Sequence, residues 1–148
     1  MRSAHAKRTQ PVIDAIAEGV ALVMAGRARA LCTAPIHKQA LAEGAIGLST
    51  GTYYPPSRAA PISELIALAR IAQAHGKLYV THMRDEADRV VEALEETFQV
   101  GRESGCGVHV SHHKCAGLAN HGKSEIPLRM IDQAIKTQDV GLDTTPWV

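Results

Sequence analysis

The sequence predicts an α/β fold in which parallel strands alternate with crossover helices. Two observations carry that expectation. Short apolar runs centred near residues 47, 79, 109 and 142 recur about thirty residues apart. Between them lie stretches with helical apolar spacing, most of them closed by glycine. Parallel strands need a long crossover, usually a helix, and such crossovers are right-handed. Periodicity alone leaves an open sheet and a barrel equally available. In both, function collects at the carboxyl ends of the strands.

The elements follow in order. From Pro11 to Ala25, apolar residues at 12, 13, 16, 20, 23 and 24 predict a helix, and Gly26 stops it. Arg29 to Thr33 predicts a short strand closed by Pro35, and His37 to Glu43 a short helix ahead of Gly44. Ala45 to Ser49 is expected as a small buried strand, and STGTYYPPSRAAP as a loop by its Gly and Pro content. Ile62 to His75 predicts a helix stopped by Gly76, and Lys77 to Thr81 a strand. Asp85 to Ser104 predicts a long helix with Val90, Leu94, Phe98 and Gly101 on one stripe. Asp85, Glu86 and Asp88 then fall in its first turn, where acids suit the helix dipole. Gly107 to Ser111 reads as a strand and Cys115 to Lys123 as a loop. Ser124 is expected to cap a helix through about Lys136, with Pro127 tolerated in the first turn. Val140 to Thr144 is the last strand.

Composition narrows the function classes. The 148 residues amount to about one domain, 45% hydrophobic and 21% charged, so a core can form. With one Phe, one Trp and three Tyr, aliphatic side chains must do the packing. The net charge of +1 and the lack of a basic face with interleaved aromatics argue against a nucleic-acid partner. No run of 18 apolar residues argues for a membrane span, and MRSAHAKRTQ lacks the apolar stretch of a signal peptide. Three Cys, at 32, 106 and 115, make no even disulfide framework, which fits a cytoplasmic setting. Eight His direct attention to metal chemistry.

Two stretches carry that chemistry. LYVTHMRDE places His82, and GVHVSHHK places His112, just past successive strands one βα period apart. Adjacent parallel strands lie about 4.8 Å apart, so side chains at matching registers can converge on one ion. Imidazole binds zinc at about 2.0–2.1 Å. The same positions equally suit histidines that merely end strands. Cys106, His109, His112 and Cys115 recur every three residues, but an extended chain sends 109 and 112 to opposite faces. His113 must point away from its neighbour, and Lys114 could present an ammonium at the same mouth. Asp143 ends the last strand and fits a turn former better than a substitute carboxylate.

From about Leu41 to Val148 the chain resembles the D-aminoacylases, the N-acyl-D-amino-acid deacylases of the amidohydrolase superfamily. The matching stretches are EGAIGLSTGTYYPP, LYVTHMRDEADRVVEALEE, VSHHKCAGLANHGKS and LDTTPW. The resemblance implies a partial (β/α)8 barrel over residues 45–148, strands four to seven of the family plan, with zinc at its C-terminal mouth. It implies that His82 and His112 bind the metal and that Tyr54 and Lys114 face an N-acyl-D-amino acid substrate. It implies zinc-dependent hydrolysis of the amide bond, weakened or lost. The family's H-x-H pair, its ligating Cys and the Asp of its last strand have no counterpart here, and Thr145 stands where the family commonly has an aromatic. No catalytic residue is therefore assigned. A sheet of four or five strands would leave apolar faces and edges needing cover, so self-association is expected.

The segment from about Pro11 to Gly44 is similar to something else, a helix–strand–loop of the 4-hydroxythreonine-4-phosphate dehydrogenases, with TAPIHK as the telling phrase. That resemblance implies an NAD- and metal-dependent enzyme, but the family's G-H-T-E motif does not follow, and His37 and Lys38 receive no role. The chain thus reads as a join of two incomplete enzymes. A gene fusion, a misread frame or a deliberate assembly would each produce it.

Overall fold

The computed structural model describes residues 45–145. Strands β1 (Gly47–Gly51), β2 (Leu78–His82), β3 (Val108–Val110) and β4 (Val140–Leu142) form one parallel sheet in the order β1-β2-β3-β4. Helices α1 (Ile62–Ala74), α2 (Val90–Ser104) and α3 (Glu125–Ala134) make the successive crossovers. When strands adjacent in sequence are adjacent in space and every crossover is right-handed, all the helices fall on one face of the sheet. The core confirms this arrangement.

Register builds the helix-covered face. Leu48 pairs with Tyr79 and Tyr79 with Val108, while Thr50 pairs with Thr81 and Thr81 with Val110, and all six are buried. Against them pack Leu65, Ile66 and Ala69 of α1, Val90, Leu94 and Phe98 of α2, and Ile131 and Ala134 of α3. The stripe expected on the long helix is the buried one. Few aromatics means the layers must come close. A Cβ on Gly101 would lie 2.9 Å from Val108 Cγ1, so α2 rides directly on β3. By the period of two, Ser49, Val80, His82 and His109 face the other way.

The structure shifts several boundaries. β1 starts at Gly47 rather than Ala45, because pairing with β2 sets its register; Ile46 is 83% exposed despite its apolarity. β2 runs to His82, so that histidine is the last residue of the strand rather than the first beyond it. β3 and β4 hold three residues each. Ser124 precedes α3 as expected, but its side chain makes no capping hydrogen bond. The largest difference is at α2, which begins at Val90 instead of Asp85. Asp85 Oδ1 accepts from the amides of Ala87 and Arg89 at 2.8 and 3.1 Å, a local bond that competes with helix formation. The helix expected over Pro11–Ala25, the strand over Arg29–Thr33 and the helix over His37–Glu43 lie outside the described residues.

Candidate metal centre

His82, Glu86 and His112 converge at the carboxyl ends of β2 and β3, their nearest ligand-type atoms all within 4.8 Å of one another. The two imidazole centroids are 4.3 Å apart and nearly perpendicular. Glu86 is only 5% exposed, and three cationic or polar groups surround it. Its Oε1 lies 2.8 Å from His112 Nδ1, and its Oε2 lies 2.5 Å from Lys114 Nζ and 3.3 Å from His82 Nε2. Lys114 Nζ is also 3.0 Å from His112 Nδ1. The two contacts at that nitrogen require opposite tautomers, donor to Glu86 or acceptor from Lys114.

His82 Nε2 is buried, and although near Glu86 it lies off any hydrogen-bond direction, so it has no partner. Burial pushes the His82 imidazole below its usual pKa, against the opposing pull of the Glu86 carboxylate. A half-buried imidazole whose Nε2 has no hydrogen-bond partner among the described residues, beside a carboxylate and a second imidazole, fits a metal ion. Two histidines and a glutamate form one of the ligand sets of catalytic zinc.

The backbone explains the convergence. His82 ends β2, with its carbonyl accepting from Thr52 N–H at 3.1 Å at the tip of β1. The turn held by Asp85 swings Glu86 back over the strand tips instead of into a helix. Ala116 N–H donates to Glu86 O at 2.6 Å, tying the loop after β3 to the loop after β2. His112 sits at φ +42°, in the left-handed region. Such a backbone costs on the order of 1–3 kcal/mol away from glycine and persists only where the surroundings enforce it.

Tyr54 and Lys114 border the same cleft of about 440 Å³, together with Tyr53, His82, Glu86 and His112. Tyr53 and Tyr54 stand 5.0 and 5.1 Å from the His82 ring, centroid to centroid. All four residues expected at the site are therefore brought together. Sequence reasoning passed over Glu86, taken for a helix-terminal charge, and Tyr53. No sequence spacing marks Glu86, because the chain from His82 to Glu86 is not helical. The alternative Cys/His group does not assemble: Cys106 Sγ donates to Lys77 O, while His109 Nε2 lies 2.8 Å from Asp143 Oδ2. That bond, with one from the His112 amide, holds the Asp143 carboxyl below its usual range. His113 is buried and belongs neither to the His–Glu–His group nor to the cleft lining, and burial lowers its pKa.

A parallel α/β sheet with a His–Glu–His group at its strand tips is a candidate metal-binding end of an α/β fold. Over three quarters of its length the chain is similar to the D-aminoacylases and their deacylase relatives. D-aminoacylase of Alcaligenes xylosoxydans xylosoxydans is 50% identical over 111 residues, 75% of this chain and 23% of that protein. A solved D-aminoacylase, studied for its binuclear metal centre, is 49% identical over 75% of this chain and 23% of its own, with a TM-score of 0.72. N-acyl-D-glutamate deacylase of Bordetella bronchiseptica, solved with zinc and a phosphonate inhibitor, is 41% identical over 78% of this chain and 24% of its own, with a TM-score of 0.73. The chain spans about a quarter of the length of these relatives. A separate, short likeness is to 4-hydroxythreonine-4-phosphate dehydrogenase of Ruegeria sp. (strain TM1040), 65% identical over 34 residues, 23% of this chain and 10% of that protein. No family model matches the chain.

Proposed function

We propose that this chain carries part of a zinc-dependent site for hydrolysing the amide bond of N-acyl-D-amino acids. The observation that carries this reading is the His82–Glu86–His112 group, in which the buried His82 Nε2 has no hydrogen-bond partner among the described residues. The likeness to deacylases that act on N-acyl-D-amino acids supports the substrate class. In this reading β1 to β4 are strands four to seven of a (β/α)8 barrel, and residues 45–148 form the amidohydrolase part. Residues 1–44 are then a dehydrogenase-like segment joined ahead of it, which the short second likeness supports.

His82 and His112 would hold the metal, with Glu86 as third ligand. When bound, zinc supplies a Lewis acid for the amide carbonyl and lowers the pKa of water. The chain's own residues bind and orient. Lys114 offers an ammonium to the carboxylate of the substrate, as a point charge on a flexible stem. Tyr54, 55% exposed, offers an aromatic wall and a hydroxyl at the cleft mouth. Low turnover is expected. Moving a proton in amide hydrolysis needs a positioned acid–base group, and the buried carboxylate at the cleft, Glu86, is already engaged by Lys114 and His112.

The test is metal analysis of the purified chain, followed by acetate release from N-acetyl-D-methionine. About one zinc per chain, lost in His82→Ala and His112→Ala, is the expected result. Purified chain that retains no zinc when dialysed against micromolar metal would overturn the reading.

A further inference from the structure

We propose that Asp143 is a positioning residue for His112: its carboxylate, reaching across from β4, fixes the left-handed backbone that turns the His112 imidazole toward His82 and Glu86. This rests on reading the His–Glu–His group as a metal centre. Three successive amides follow the end of β3, and each is captured from outside its own strand. Ser111 N–H donates to Thr81 O at 3.0 Å, and His113 N–H donates to Asp143 O at 2.8 Å. Between them, His112 N–H donates to Asp143 Oδ1 at 2.6 Å. The one amide at the unusual φ is the one held by a side chain instead of by backbone.

A turn-forming aspartate bonds its own neighbouring backbone. Both carboxylate oxygens of Asp143 go instead to the chain around β3, Oδ1 to His112 and Oδ2 to His109 Nε2 at 2.8 Å. The sequence makes room for this. A Cβ on Gly141 would lie 2.9 Å from His109 Nδ1, so glycine in β4 lets the His109 ring lean across the sheet to Asp143. His109, Asp143 and the His112 backbone thus form one chain of contacts behind the metal-facing imidazole. The Asp143 side chain is 56% exposed, so its ion pair contributes little to folding. Its effect should appear in ligand geometry.

The test compares the full chain with Asp143→Ala, Asp143→Asn and Gly141→Ala. Cobalt(II) affinity is measured by chelator competition and the cobalt visible spectrum, and apo stability by thermal melting. Outer groups that orient ligands typically cost 10–100-fold in metal affinity when removed, and that is expected for Asp143→Ala with apo melting nearly unchanged. Asp143→Asn keeps a carbonyl acceptor for the His112 amide and should stay within a few-fold of the unaltered chain. Gly141→Ala displaces His109 and should weaken cobalt in the same direction. Equal cobalt affinity in Asp143→Ala and the unaltered chain overturns this proposal alone. So does a loss that merely follows a fall in apo stability. An unaltered chain that takes up no cobalt overturns the metal reading and this one with it.

Discussion

Glu86 shows what a residue's neighbours decide that its sequence position does not. In RDEADR it stands among acids that suit the start of a helix, yet the Asp85 turn removes it from the helix and aims it at two histidines and a lysine. Its burial at 5% exposure is tolerable because both oxygens are engaged. Glu86→Ala removes the carboxylate from His112 Nδ1 and from Lys114 Nζ, which keeps its bond to His112 O at 3.0 Å. A loss of about 1 kcal/mol of stability is expected, since both partners reach solvent. Zinc affinity should fall more than tenfold with the ligand gone, checked by urea titration and chelator competition on the same sample. If both quantities stay at wild-type values, Glu86 is a bystander. The two histidines, by contrast, were legible from the repeated strand-then-histidine phrase, because strand ends are where α/β chemistry gathers.

At the scale of elements, α1 was the easiest to read and the start of α2 the hardest. α1 falls on its expected bounds to within one residue, since its apolar spacing and Gly76, at φ +64°, dictate both ends. Short strands take their limits from their partners, and all four are accordingly shifted or trimmed by one or two residues. The β1–β2 pair also buries a polar knot. Thr50 Oγ1 lies 2.9 Å from the Tyr79 hydroxyl and donates to Thr81 Oγ1 at 2.9 Å. Burial pushes the Tyr79 phenol above its usual range, partly offset by the Thr50 bond, and burial likewise raises the Cys106 thiol. A group whose folded pKa is raised stabilises the fold fully below its unfolded value, and that contribution is lost as pH climbs through the folded one. Unfolding free energy should therefore decline from about pH 9 for the thiol and about pH 10 for the phenol. Tyr79→Phe should flatten the upper part of that decline while costing about 0.5–1.5 kcal/mol at neutral pH. Urea unfolding between pH 7 and pH 11 measures both. Contact between α2 and β3 gives a second test. Gly101→Ala gains about 0.8–1 kcal/mol of helix propensity. The new methyl group, however, meets Val108 Cγ1 at 2.9 Å and Cys106 O at 3.4 Å. Overpacking of this kind costs about 1–3 kcal/mol, so the clash should win and the variant should unfold at lower urea.

For the molecule as a whole, the decisive feature is that the described helices cover one face of a parallel sheet. Parallel sheets are almost always covered on both. The helix-free face is more polar than the sequence led one to expect, with Ser49, His82 and His109 on it beside Val80 and Leu78, the last 38% exposed. That pattern could not be read from apolar runs alone, because it depends on which residues each strand pairs. A face lined this way fits the proposed barrel interior better than open solvent. Among the described residues β1 and β4 are the sheet edges, and edge strands with free ladder groups pair readily with other chains. We therefore expect the chain to associate with itself in a concentration-dependent way, with β1 and β4 as the elements that meet. Sedimentation velocity from about 1 to 50 μM should show mass rising above 15.8 kDa. A charged substitution on the β1 edge, Ser49→Lys, should hold the chain at lower mass, as lysine blunts exposed edges. A single species at monomer mass across that range would overturn this expectation.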